Sequence, residues 1–236
     1  MIHFRSKLSY QLRPRTSGSK MLAAIPPQEM QQSTIGAMAK AVGDKVFTGY
    51  CASDIEMATP QLTLEQIGRI SAIVAQYIAD QRRRFWPQAE PLTAAQRAAM
   101  EEFFTPELLD TVRMLVLSGV RVENPPFYPM LANWGLSKLP DLSRMTAITF
   151  SDVVVSIAPC SDRLLFHELV HVEQYRQLGI PRFAELCVRG FLMGGSYEAI
   201  PLEVDAYTLE RTFQQQPHCP FSVEDKVKRW VATNRF

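Results

Sequence analysis

Apolar positions recur with a helical period over most of the chain. Leu64, Ile67, Ile70, Ser71, Val74, Tyr77 and Ile78 follow i, i+3, i+4, i+7 spacing and predict one apolar helix face. Thr63, with Gln66 three residues on, is a capping-box start. Arg82, Arg83 and Arg84 suit the negative end of the helix dipole and read as a solvated terminus. A second box, Thr93 with Gln96, opens a helix to residue 104. Thr105-Pro106 starts another, which Leu108, Leu109, Val112, Leu115 and Val116 carry to residue 118 before Gly119. Residues 124–136 hold three prolines with Phe127, Tyr128 and Trp134 and read as a loop whose aromatics line a cleft or fill the core. Two β-branched runs, 146–150 and 153–157, split by Ser151-Asp152, predict a hairpin. Further helices are expected over 161–178, stopped by Gly179 and Pro181, then 182–189, 201–215 and 222–232.

The fold class expected is mainly α with a small β-sheet (α+β). Residues 1–45 lack sustained periodicity and read as a flexible or loosely packed N-terminal arm. Residues 46–140 form a helical N-terminal part, in one unit with a core over 141–236.

The predicted helix 161–178 carries His167-Glu168-Leu169-Val170-His171. At 3.6 residues per turn, side chains four apart project the same way, so His167 and His171 can share one Zn²⁺. Glu168, one step round, is placed to act as general base on a water at that metal. The apolar neighbours Leu164, Leu165, Phe166, Leu169, Val170 and Val172 imply burial, and buried polar groups demand partners. Gln174 and Gln177 stand where a longer histidine motif would continue, so the third ligand should be a later carboxylate. Glu185, Glu198, Glu203, Asp205 and Glu210 are candidates. Glu203 leads, because it opens the helix begun by Pro201 and shares a face with Ala206, Tyr207 and Glu210; Glu198 and Asp205 follow. A donor to the transition-state oxyanion is also needed. Tyr197, Tyr207, Tyr175 and His218 are available, with Tyr197 taken first.

The run H-E-L-V-H-V-E-Q resembles bacterial metallopeptidase domains carrying H-E-L-x-H-V-x-Q, including the domain associated with extracellular contractile injection system clusters. The resemblance spans residues 145–213. It implies a zincin-like, minimal gluzincin core, with zinc on His167, His171 and Glu203 and with Glu168 as base. Gluzincins carry an Asp four residues after the ligand glutamate to orient a ligand histidine. That position is Tyr207 here, so Tyr207, Asp205 or Glu173 would have to take the role. Zincins also pair an extended substrate with an edge strand beside the metal helix, which makes 153–157 the candidate strand.

Composition narrows the alternatives. Lys and Arg number 25 against 24 Asp and Glu, for a net charge of +1, with 47% hydrophobic residues. That excludes a wholly disordered chain and argues against a nucleic-acid partner, which needs clustered cationic charge. No run approaches the ~18 apolar residues of a membrane span. Four cysteines without a C-x-x-C pair read as reduced thiols. The first 28 residues contain no acid, and their apolar piece is too short for a signal core, so a cytoplasmic location is the expectation. The function expected is zinc-dependent hydrolysis of a peptide or protein substrate. The alternative is a non-proteolytic zinc-binding structural or interaction module.

Overall fold

The computed structural model describes residues 62–136 and 138–235. The expected N-terminal arm lies outside the described residues.

Both capping boxes form. In each, the threonine hydroxyl accepts the N–H of the glutamine three residues on, and the glutamine carboxamide accepts the threonine N–H. They open α1 (Leu64–Phe85) and α2 (Ala94–Met100). Arg82 is not simply solvated at the end of α1. It forms a two-pronged ion pair with Asp152, with Nη2 2.7 Å from Oδ2, which ties α1 to the hairpin turn.

The helix expected over 106–118 divides. α3 (Pro106–Thr111) stops at Val112, which takes ψ 140°, and Arg113–Val116 forms strand β2. Leu115 and Val116 fit a helical stripe and a strand equally well over so short a run. Pairing decides the matter, since β2 lies parallel to β4 (Val153–Ser156) from Arg113↔Val153 to Val116↔Ser156. Two-residue β1 (Glu90–Pro91) flanks β2, and β3 (Ala147–Phe150) pairs antiparallel with β4 through the expected Ser151-Asp152 turn. Ser151 there takes φ 63°.

The strand order is β1-β2-β4-β3. The strand read at 153–157 is therefore interior, with both edges occupied, and is unavailable to a substrate. β3 lies at one end of the sheet and, among the described residues, pairs with no strand on its outer side. β4 is buried throughout because Val154 faces one apolar cluster while Val153 and Val155 face another, as expected of a strand covered on both sides.

The segment read as a loop contains a short helix, α4 (Tyr128–Asn133). α5 (Asp162–Gly194) is broken where expected, at Gly179, which takes φ 69° and ψ 161°. Such a left-handed value favours glycine. Beyond the break α5 runs five residues past the expected Arg189. It packs on α1, α6 (Pro201–Gln215) and α7 (Val223–Ala232). The described residues fall within one compact unit, so the early helices and the motif helix share a core. No helix among the described residues is long and apolar enough to cross a membrane.

Close approach of α5 to the start of α6 sets the site. A Cβ added at Gly190 would lie 2.6 Å from Pro201 Cδ, a ring atom that cannot swing aside. Ala206, fully buried, lets α6 lie close along the same helix. Gly190→Ala is therefore expected to cost about 1–3 kcal/mol through overpacking. An unchanged urea midpoint would refute this packing account.

Candidate metal centre

Every residue of α5 from Leu165 to Tyr175 is buried, so His167, Glu168 and His171 are carried into the interior, each 5–6% exposed. Glu203 arrives from the first turn of α6, 5% exposed. The two imidazole Nε2 atoms stand 3.2 Å apart. Nε2 of His171 lies 3.4 Å from Oε1 of Glu203, and Nε2 of His167 lies 3.6 Å from its Oε2. Four ligands at zinc bond lengths are separated by about 3.3–3.4 Å along the tetrahedron's edges, so the spacing fits one small divalent ion.

Hydrogen bonding on the far side of each ring fixes which nitrogen is free. His167 Nδ1 lies 2.9 Å from Glu210 Oε2, an acceptor, so that nitrogen carries the proton. His171 Nδ1 lies 2.8 Å from Gln174 Oε1, and the amide nitrogen of Gln174 donates to the Leu202 carbonyl at 2.9 Å. That second bond assigns the amide and leaves its oxygen to accept from His171. Both Nε2 atoms therefore present lone pairs to the same point. Oε2 of Glu203 is buried beside them without a hydrogen-bond donor. A cation is the group that satisfies all three. Among the described residues, these side chains are the one set placed to hold a metal, and Glu168 is not part of it.

The third-ligand alternatives lie elsewhere. Glu185 pairs with Arg182 and Arg189, Asp205 lies 2.7 Å from Arg235, and Glu198 is exposed on the turn Tyr197–Ala199. Glu173 is engaged by Arg176 and Gln177. Glu210, two turns beyond Glu203, takes the histidine-orienting role for which Tyr207, Asp205 and Glu173 were considered, and Arg163 braces it from outside. The sequence did place Glu210 on the face of Glu203, but as a possible ligand. Tyr207 instead lays its ring over His167, with centroids 4.5 Å apart.

Thr149 is a site residue that sequence reading missed. From edge strand β3 its hydroxyl donates to Glu168 Oε2 at 2.7 Å, holding the carboxylate. No local motif marks it, because the contact exists only once β3 lies against α5. Tyr197 is beside the group formed by His167, His171 and Glu203, and its hydroxyl donates to Glu203 Oε1 at 2.5 Å. Tyr175 donates to the Thr149 carbonyl, and His218 is exposed on a turn after α6. Tyr207 borders the polar cleft and has no hydrogen-bond partner for its hydroxyl among the described residues. Cys160, Cys187 and Cys219 are free thiols; Cys51 lies outside the described residues.

Electrostatics follow from burial. Desolvation pushes Glu168 above the ordinary carboxylate range, against the pull of both histidines and of the Thr149 hydroxyl. Burial opposes charge on His171, yet Glu203 and Glu168 outweigh it and raise the imidazole to about 9. Burial would likewise raise Glu203, but His171, His167 and Tyr197 hold it far below the carboxylate range.

No family model, curated protein or solved structure matches the chain.

Two predictions follow from this arrangement. A divalent ion held by this cluster would bind about 10- to 100-fold more weakly after Glu210→Gln, measured by competition with a chromophoric chelator; unchanged affinity would deny Glu210 its role. In metal-free protein the stabilisation from His171 is complete below its ordinary 6.5 and is lost as pH rises through about 9. The share from Glu203 is present above its ordinary 4.5 and is lost only in strong acid. The thermal midpoint of chelator-treated protein should therefore fall between pH 6.5 and about 9, while that of protein supplied with a divalent ion, which would replace the proton, should hold.

Proposed function

We propose that this chain is a zinc-dependent peptidase with a gluzincin-like centre formed by His167, His171 and Glu203. One observation carries the reading. Three lone-pair atoms converge at tetrahedral spacing, while the carboxylate of Glu168 in the same motif stays outside the set, held by Thr149 beside an open cleft. A structural zinc site would have its sphere closed by a fourth protein ligand. No fourth His, Cys, Asp or Glu joins the group among the described residues. Instead a cleft of about 350 Å³ opens onto His167, Glu168 and Glu203.

When bound, zinc supplies Lewis acidity, making water nucleophilic near neutral pH and polarising a carbonyl. The remaining work falls to the chain. Glu168 takes the proton from the attacking water and passes it to the departing amine. Thr149 occupies Oε2 of Glu168 and leaves Oε1 for that exchange. Tyr197 steadies the ligand carboxylate, and Tyr207 has a free hydroxyl for the developing oxyanion. The residues leading into β3, Met145 and Thr146, line the cleft with Ala147, so its free edge is placed to pair with an extended peptide.

The test is zinc content by elemental analysis, followed by hydrolysis of an unstructured protein with and without chelator. Glu168→Gln should keep the metal and lower kcat about 10²- to 10⁴-fold. Tyr207→Phe should lower kcat with zinc affinity unchanged, whereas Tyr197→Phe should weaken zinc affinity. Bound zinc without any Glu168-dependent hydrolysis would favour the non-proteolytic module, and absence of zinc would end both readings.

A further inference from the structure

Two spaces meet at the centre, and they differ in chemistry. The cleft is polar, bordered by Arg144, Arg163, Tyr207 and Glu210. On the other side of Glu168 and Glu203 lies an inner chamber of about 200 Å³. Its walls come from α1, the aromatic segment around α4, β3 and the second half of α5. Ile70, Leu131, Ile148, Phe183, Val188 and Phe191 supply much of the surface. Its charged or titratable imidazole and carboxylate groups are Glu168, His171 and Glu203, all at the centre itself.

The chamber has little to offer a polar guest. Five hydroxyl-bearing residues line it, Tyr77, Tyr128, Thr149, Tyr175 and Tyr197. Four are already donating: Tyr77 to the Glu123 carbonyl, Thr149 to Glu168, Tyr175 to the Thr149 carbonyl and Tyr197 to Glu203. Water there would find few partners, and by volume alone an apolar space of about 150 Å³ is enough to accept benzene. This chamber is larger, so a six-membered ring enters with room for a substituent.

We propose that the inner chamber selects substrates carrying a large apolar group, an aromatic or branched aliphatic side chain or an acyl chain, directly beside the amide bond presented to Glu168. The inference rests on the hydrolytic reading of the centre. The group fills the space between α1 and α5 while the polar remainder of the substrate lies in the cleft. Charged and small polar side chains at that position are disfavoured, because away from the centre the chamber offers only the Tyr128 hydroxyl as an unengaged side-chain hydrogen-bonding group and a small side chain leaves the apolar space unfilled.

Binding is tested apart from hydrolysis. Full-length protein, chelator-treated and zinc-loaded, is titrated with indole and followed by saturation-transfer NMR. Indole should bind both forms, and Val188→Phe, which fills the chamber away from the ligands, should abolish the signal while zinc content stays the same. Ile70→Phe repeats the test from the opposite wall should the first variant fail to fold. In zinc-loaded protein, peptides with Phe or Leu at one flanking position should be cleaved at least about tenfold faster in kcat/KM than those with Ala, the range an apolar pocket provides. Asp and Lys should be poorer still, and Val188→Phe should erase the preference. Displacement of indole by a Phe-containing peptide supports a side chain as the guest; displacement only by an N-decanoyl peptide supports an acyl chain. Failure of indole to bind the unsubstituted protein, or equal cleavage of Phe, Ala and N-decanoyl peptides, overturns the chamber's role. Indole binding to a protein that holds no zinc would leave the chamber standing and remove the peptidase reading instead.

Discussion

The Nε2 atoms of His167 and His171 stand 3.2 Å apart with lone pairs facing each other, and an oxygen of Glu203 that no donor reaches sits beside them. In a buried setting such an arrangement is unfavourable unless a positive charge occupies the middle. A proton can do so, which is why His171 is pushed up to about 9 in the metal-free chain. A divalent ion satisfies all three atoms together, and in our reading the site is built for one.

Much of the surrounding structure keeps that convergence in place. Glu210 and Gln174 occupy the outer nitrogens of the two rings, and Gln174 passes the restraint on to the Leu202 carbonyl at the start of α6. The helix that delivers the third carboxylate is thereby tied to the helix that delivers the imidazoles. Gly190 permits the close crossing, and Arg163 clamps the two helices from the solvent side. The orienting acid stands seven residues after Glu203 rather than four, so it lies two turns along the same face. Tyr207 is left to cover His167 with its ring.

The sheet serves the centre through one strand. β4 is buried and paired on both edges, which gives the framework rigidity but no access. β3, at the edge, contributes Thr149 to Glu168 and a wall to each of the two spaces. Glu168 thus sits where a polar cleft and an apolar chamber join.

The local signals were legible in the chain alone. Capping boxes, the Gly179 break, the two-residue hairpin turn and the shared face of His167 and His171 all depend on residues near one another in sequence, and all have counterparts in the structure. What failed depends on partners far away. Arg113–Val116 becomes a strand because β4 lies alongside it, although its apolar spacing also suits a helix. The strand at 153–157 is interior because β2 reaches it from residues about 40 positions earlier. Thr149 and Glu210 acquire their roles from contacts 19 and 43 residues distant. The sequence by itself determined the helical period and the donor atoms on one face of α5, because backbone geometry alone places residues four apart together. Only tertiary packing decided which acid completes the cluster, which orients it and which strand stays open, because those choices are made by burial and hydrogen bonding between elements that no local pattern encodes.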